Sequence, residues 1–428
     1  MKMLTLLLTA LLLVSAAVAG PVESFTVNGL KVILAPNTVN DILAVNMYFR
    51  GDGASGDLNK AGLDQLTFAV AVEATKAYPK AKLSETIEKM DTRIGSRGGR
   101  DYSSISMQCV KSNFPKSWDV FADAILNPTF DSVDVVLERE RQLAGIKQGK
   151  DDPDTYLNKL SMDVFYADHP YLVDPMGTER TVAGFTSADL RKHMDRRRVA
   201  QNMLLVVVGN MTRAELEKAV TKAFGKLPQG AVIPVENRIV RHPAPSLRVV
   251  KREIPTNYIR GSFSIPPFGS TEAYAMGIAI SILQDRVFEE VRTKRSLSYA
   301  PAASAFGLFS NAGYIYVTAV NPDTTISVML AELKKLQDEP VNAKTLNDKR
   351  NGYVTRYYYG METNASQAET FARYELVGVG YEQAQKFLDN IKAVTPERIQ
   401  AAAKEYMHNL QFVLLGNPAS VQTARFMF

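Results

Sequence analysis

Apolar and polar positions alternate along the first stretch, Phe25-Thr26-Val27-Asn28-Gly29-Leu30 and Lys31-Val32-Ile33-Leu34. An Asn-Gly pair between two such runs predicts a hairpin. Residues 42–50 and 103–110 alternate as half-buried strands, and 203–208 are apolar throughout, as a fully buried strand is. Helical spacing runs over 61–77, 84–90, 115–126, 131–148 and 157–166. Asn127-Pro128 ends the third of these, and Gly149 with Asp151-Asp152-Pro153 ends the fourth. Thr186 and Thr212 start two further helices, the second ending near Phe224-Gly225.

The second half repeats this plan. Asn202-Met203-Leu204-Leu205-Val206-Val207-Val208-Gly209-Asn210 recurs as Asn409-Leu410-Gln411-Phe412-Val413-Leu414-Leu415-Gly416-Asn417, 207 residues later. Each copy follows a helix that opens on a threonine, Thr186 in one and Thr395 in the other. Each half also begins with a strand that runs into a glycine loop, 45–51 and 259–269. One unit of about 200 residues used twice sets the domain count more firmly than length does. The expected boundaries are 20–228 and 246–428, joined by a Pro- and Gly-rich linker, 229–245, without apolar periodicity. Strands mixed with helices in this way predict an α+β fold: two homologous domains, each a mostly antiparallel sheet with helices on one face.

The 428 residues are 46% hydrophobic and 22% charged, ordinary for a globular chain. A net charge of +5 is too mild for a nucleic-acid binder, and Arg196-Arg197-Arg198 reads as a solvated helix end. Residues 1–19 have the form of a secretory signal: Lys2, an apolar run from Met3, and Ala17-Val18-Ala19 as cleavage site. A periplasmic or secreted protein without a stable membrane span is expected, with an uncleaved anchor as the lesser alternative. Cys109 is the only cysteine, so there is no internal disulfide; its alternating context reads as core.

The chemistry-bearing stretch is 285–300, DRVFEEVRTKRSLSYA. It starts as a helix with Val287, Phe288 and Val291 as its apolar stripe, then breaks at a polar cluster. Arg292 and Tyr299, seven residues apart, offer a planar fork of donors and a directional phenol. Such a pair suits a peptide carbonyl or a developing oxyanion; the plain alternative is a surface arginine and a packed strand tyrosine.

This stretch resembles the Arg/Tyr element of the inverzincin metallopeptidases, the insulinase and mitochondrial-processing-peptidase family. Asn127-Pro128-Thr129-Phe130, His169-Pro170-Tyr171 followed by Gly177, and the strand ending Gly209-Asn210 fall in the family's order and extend the resemblance over nearly the whole mature chain. It implies two homologous α+β domains facing each other across a chamber. Members of the family carry H-x-x-E-H on the first long helix, two histidines for zinc and a glutamate as general base, with a distant glutamate as third ligand. Here the aligned segment is Gly62-Leu63-Asp64-Gln65-Leu66-Thr67-Phe68-Ala69. Gln65 and Ala69 stand at the histidine positions and Phe68 at the base position. The third ligand falls at 144–146, which has no carboxylate; Glu138 and Glu140 lie upstream and are expected to face elsewhere.

The absence does not depend on alignment. His169, His193, His242 and His408 are the only histidines, and no two could form a helical zinc pair. They read as loop, helix-surface, linker and loop residues. No Gly-x-Ser-x-Gly elbow, P-loop or dinucleotide fingerprint is present, and 94–100 reads as a turn. The zinc half-site is lost and the Arg292/Tyr299 half-site kept. By resemblance this implies a non-catalytic, substrate-holding subunit with no cofactor of its own, paired as a heterodimer with an H-x-x-E-H chain that holds zinc and acts on peptides. The alternatives are an inert structural or peptide-binding scaffold and, last, an independent peptidase.

Overall fold

The computed structural model describes residues 20–51 and 57–428; the signal-like segment 1–19 lies outside them. Asn28 and Gly29, both at positive φ (47° and 85°), turn β1 (Glu23–Val27) into β2 (Leu30–Pro36), with Val27 opposite Leu30. Only a left-handed pair gives a two-residue turn whose twist matches the strands, hence Asn-Gly. The first sheet adds β3 (Ile42–Arg50), β4 (Arg93–Arg97), β5 (Tyr102–Val110) and β6 (Met203–Gly209) in the order β1-β2-β6-β3-β5-β4. The second contains β7 (Ser246–Lys251), β8 (Asn257–Ser264), β9 (Ala302–Ala305), β10 (Ala312–Ala319) and β11 (Gln411–Gly416) in the order β7-β11-β8-β10-β9. With β1 set aside the two sheets are the same object. Each has one parallel pair, β2 with β6 and β7 with β11, and antiparallel pairing elsewhere.

The helices of the first half are α1 (Leu63–Ala71), α2 (Lys80–Lys89), α3 (Phe114–Leu126), α4 (Ser132–Asp151), α5 (Pro153–Phe165), α6 (Glu179–Ala183), α7 (Ser187–Arg197) and α8 (Arg213–Phe224). Those of the second are α9 (Thr271–Val287), α10 (Pro322–Asp338), α11 (Ala343–Gly360), α12 (Asn364–Leu376), α13 (Glu382–Gln385), α14 (Phe387–Lys392) and α15 (Pro396–Tyr406). Thr186, Thr212 and Thr395 cap α7, α8 and α15 through their side chains, as their positions predict.

Alternate residues of each strand feed two cores. In the first sheet Val45, Met47, Leu205 and Val207 face α1, α3, α7 and α8 of their own half. The opposite face, with Ile33, Tyr48, Leu204 and Val206, is covered by α12 from the other half. The second sheet is the mirror case. Ile259, Ile315, Phe412 and Leu414 face α9, α10 and α15. Val413 and Leu415 receive Leu157 and Leu160 of α5 from the first half. The two halves thus exchange helices. Their own helices occupy one face of each sheet, as expected, and the partner half supplies the second layer.

Several finer expectations fail. α1 stops at Ala71 rather than near 77, because 74–76 leave the helix to meet 127–129: Thr129 N donates to Ala74 O and Lys76 N to Asn127 O. Residues 94–97, read as a turn, pair with β5 as strand β4; the turn is confined to 98–101. The helix at 285, by contrast, breaks at the polar cluster as expected: α9 runs on into a π-helical turn, Phe288–Thr293, and Ser296 at φ 51° ends it.

Candidate functional site

At the zinc-helix positions α1 is plugged. Phe68 is fully buried and packs edge-on to Phe49 of β3, ring centroids 4.8 Å apart. Gln65 is half-buried, and its carbonyl oxygen accepts from the backbone N–H of Gly98 at 3.1 Å. The approach is close enough that a Cβ on Gly98 would lie 2.7 Å from Gln65 Cα, so the glycine is what lets the β4–β5 turn sit on the helix. Ala69 presents a methyl. Opposite them on α4, Gln142 donates to the carbonyls of Gly62 (3.1 Å) and Met176 (2.8 Å), and residues 144–146 present no acid. Glu138 is paired with Arg141. Burial and the nearby Glu73 raise the Glu138 carboxyl above its ordinary value. Among the described residues no group of three or more His, Cys, Asp or Glu side chains could hold a metal. An amide, a benzyl ring and a methyl are not zinc donors, so the residues present do not fit the metal.

One turn from this plug lies a buried polar cluster that the sequence did not disclose. Asp64 Oδ1 stands 2.7 Å from His193 Nε2 and 3.1 Å from Arg197 Nε, and its other oxygen accepts from Ser103 Oγ. Arg197 also donates to the carbonyls of Phe49 (3.1 Å), Gly51 (2.6 Å) and Arg50, closing the end of β3. His193, expected on a helix surface, is 2% exposed, and Arg197, expected as part of a solvated helix end, is 3% exposed. The i, i+4 spacing of His193 and Arg197 on α7 is the signal that was available: both project from one face, and Asp64 is their counter-charge. His169, expected in a loop, is also buried; it caps a short 3-10 turn by accepting from Tyr171 N at 3.1 Å, and burial lowers its pKa. Cys109 is core, as expected, with burial pushing its thiol up to about 11.

Arg292 and Tyr299 do come together. The Arg292 guanidinium lies 4.0 Å from the centre of the Tyr299 ring and 4.9 Å from that of Phe288. The π-helical turn puts Arg292 over Phe288, and the reversal at Ser296 brings Tyr299 back across it. Tyr299 is 78% exposed. Among the described residues neither side chain makes a hydrogen bond or an ion pair. A stacked guanidinium keeps its in-plane N–H groups free to donate.

A cavity of about 510 Å³ separates the halves. The β4–β5 turn forms one wall, through Arg97, Arg100, Asp101 and Tyr102; residues 306–309 and helices α11 and α12 form the other. Phe268 lines it, whereas Phe263 is core. Arg292, Tyr299, Gln65, Phe68 and Ala69 do not line it.

The two halves match two family descriptions. Residues 31–172 match the insulinase family, peptidase family M16, and residues 184–353 match the peptidase M16 inactive domain. This chain belongs to the insulinase family. An uncharacterized zinc protease of Mycobacterium tuberculosis is 24% identical over 411 residues, covering 92% of each chain. One from Bacillus subtilis is 20% identical over 387 residues, 88% of this chain and 93% of its own. Among solved structures, a peptidase M16 inactive domain from Pseudomonas fluorescens has a TM-score of 0.84 at 18% identity, over 92% of this chain and 98% of that one. A protease from Helicobacter pylori has the same score at 16% identity, over 94% and 100%. These structures share the insulinase-family fold with this chain. Within the family it is a degenerate member, because Gln65, Phe68 and Ala69 stand where H-x-x-E-H would be.

Proposed function

We propose that this chain is the non-catalytic, substrate-holding subunit of a two-chain zinc metallopeptidase acting on peptides or unfolded segments. The observation that carries the reading is the asymmetry of its two half-sites. The helix that would hold metal is filled by Phe68 and a Gln65–Gly98 hydrogen bond. The Arg292/Tyr299 pair is stacked, with Tyr299 exposed and Arg292 half-buried, and is free of internal partners among the described residues. A residue spent on its own fold has its donors used; these two have not. The zinc-protease descriptions of its relatives support the peptidase side of the reading.

In this reading the metal and the general base belong to an H-x-x-E-H chain, and heterodimer formation sets Arg292 and Tyr299 beside them. Arg292 orients a substrate carbonyl. Tyr299 donates its phenol proton as a hydrogen bond to the oxyanion, a role worth about 3–4 kcal/mol for a single donor. The signal-like N-terminus supports a periplasmic or secreted location for the pair. Reconstitution with the H-x-x-E-H chain tests this. Tyr299→Phe keeps the stacking and should lower kcat about 100-fold or more while assembly is unchanged. Unchanged turnover would leave the second reading, an inert scaffold of the same fold. The filled zinc helix favours that reading as much as the first, since a plugged site serves either.

A further inference from the structure

The cavity between the halves is built for an anion with an apolar body. Four arginines line it: Arg97, Arg100, Arg356 and Arg373. Among the described residues none of them forms an ion pair with a carboxylate. The two acids of the lining are already engaged. Glu369 accepts from the phenols of Tyr48 (2.9 Å) and Tyr102, and Asp101 accepts from the phenol of Tyr171 and from Phe309 N at 3.2 Å. Two carboxylates against four guanidiniums leave the lining net cationic.

Three of the arginines are also held in place. Arg373 stacks on Phe268 at 4.2 Å and donates to Gly307 O at 2.7 Å. Arg356 stacks on Tyr353 at 4.4 Å, and Arg100 donates to Tyr171 O at 3.1 Å. Stacked guanidiniums present fixed forks, the geometry that grips a carboxylate with two parallel bonds. Phe306, Tyr357, Tyr374 and Phe387 complete an aromatic floor. The volume lies inside the roughly 300–1,000 Å³ range of small-ligand sites.

We propose that this cavity binds the C-terminal carboxylate of a peptide, with the side chain next to it on the aromatic floor. A monoanion is favoured over a phosphate dianion because Asp101 and Glu369 share the lining and repel a second negative charge. The choice of a peptide as carrier rests on the proposed subunit role. The site itself uses no residue of the Arg292/Tyr299 pair and needs no second chain.

The test is binding to the purified chain alone. A fluorescein-labelled Ala-Ala-Gly-Leu-Phe with a free carboxylate is compared, by anisotropy, with the same peptide ending in an amide. The acid should bind at least about tenfold more tightly, the loss expected for one charge-assisted bond. Arg97→Gln and Arg356→Gln, both at exposed positions, should each weaken the acid several-fold, leave the amide unchanged and keep the wild-type melting temperature. Equal affinity for acid and amide overturns the proposal, and so does no binding of the acid at millimolar concentration. Displacement of the acid by adenosine monophosphate, more effectively than by unlabelled acid peptide, reassigns the site to phosphate and also overturns it. The subunit role is read separately, by Tyr299→Phe in the reconstituted pair, so either idea can fail while the other stands.

Discussion

Asp101 is the residue whose surroundings make the sharpest solution prediction. Burial holds its carboxyl up at about 6, against an ordinary 3.8, despite the hydrogen bonds from Tyr171 and Phe309 N. A carboxyl whose pKa is higher in the folded state favours folding in acid. The contribution is complete below about pH 4 and is lost as pH rises through 6. Two units correspond to about 3 kcal/mol at most. Asp101→Asn does not titrate, so relative to the wild type it should gain up to that amount between pH 4 and pH 8. Urea unfolding at the two pH values checks it; a stability difference independent of pH would show that the carboxyl titrates normally. Asp64 makes the opposite case. Its removal strands Arg197 in the core, so Asp64→Ala should cost about 3–5 kcal/mol, again read by urea unfolding. Neither residue was legible in the sequence. Arg97, Arg100, Arg356 and Arg373 are likewise scattered over both halves, and only the fold gathers them.

Elements were far more legible than residues. Thr186, Thr212 and Thr395 sit where helix caps are needed, and Asn28-Gly29 where a tight turn is needed, because these are local rules with local causes. The helix at 61–77 was misread because its end is fixed by bonds to 127 and 129, half a domain away. α12 shows the same limit from the other side. Of its buried positions, Asn364, Ala368, Phe371, Ala372 and Glu375 recur with helical spacing along one face, and Tyr374 and Leu376 widen the buried surface at its end. Nothing in them says that the apolar face belongs to the first sheet. There the polar members clamp the strand ends: Asn364 Nδ2 donates to Ile42 O at 2.6 Å, and Glu375 pairs with Lys31 at 2.7 Å. Phe371→Ala should therefore cost about 3–5 kcal/mol, and the loss should appear in the unfolding of both halves together. Two separate transitions, with only the second half destabilised, would contradict the exchange.

For the molecule as a whole, the exchange of α5 and α12 removes the hinge that a two-domain chain would otherwise have. Inter-domain contacts are usually small and polar enough to allow relative motion. Here each sheet is roofed by the other half, so the two halves should move as one body. Fragments 20–228 and 246–428 should accordingly co-purify when produced together, and each alone should aggregate, having a bare apolar sheet face. Two soluble, monomeric fragments would count against the interlock.

The same roofing has a temporal side. β6 closes the first sheet at Gly209, but α12, which covers its second face, begins at Asn364. The Lys31–Glu375 bond joins residues 344 apart. At about 5–20 residues per second of synthesis, the first half waits roughly ten to thirty seconds with Ile33, Tyr48, Leu204 and Val206 uncovered. An N-terminal half that cannot finish before the C-terminal half arrives stays open, unlike a domain that folds as it emerges. Until α12 is made, the first sheet keeps an apolar face bare, an opportunity for pairing with other chains that closes only near the end of synthesis.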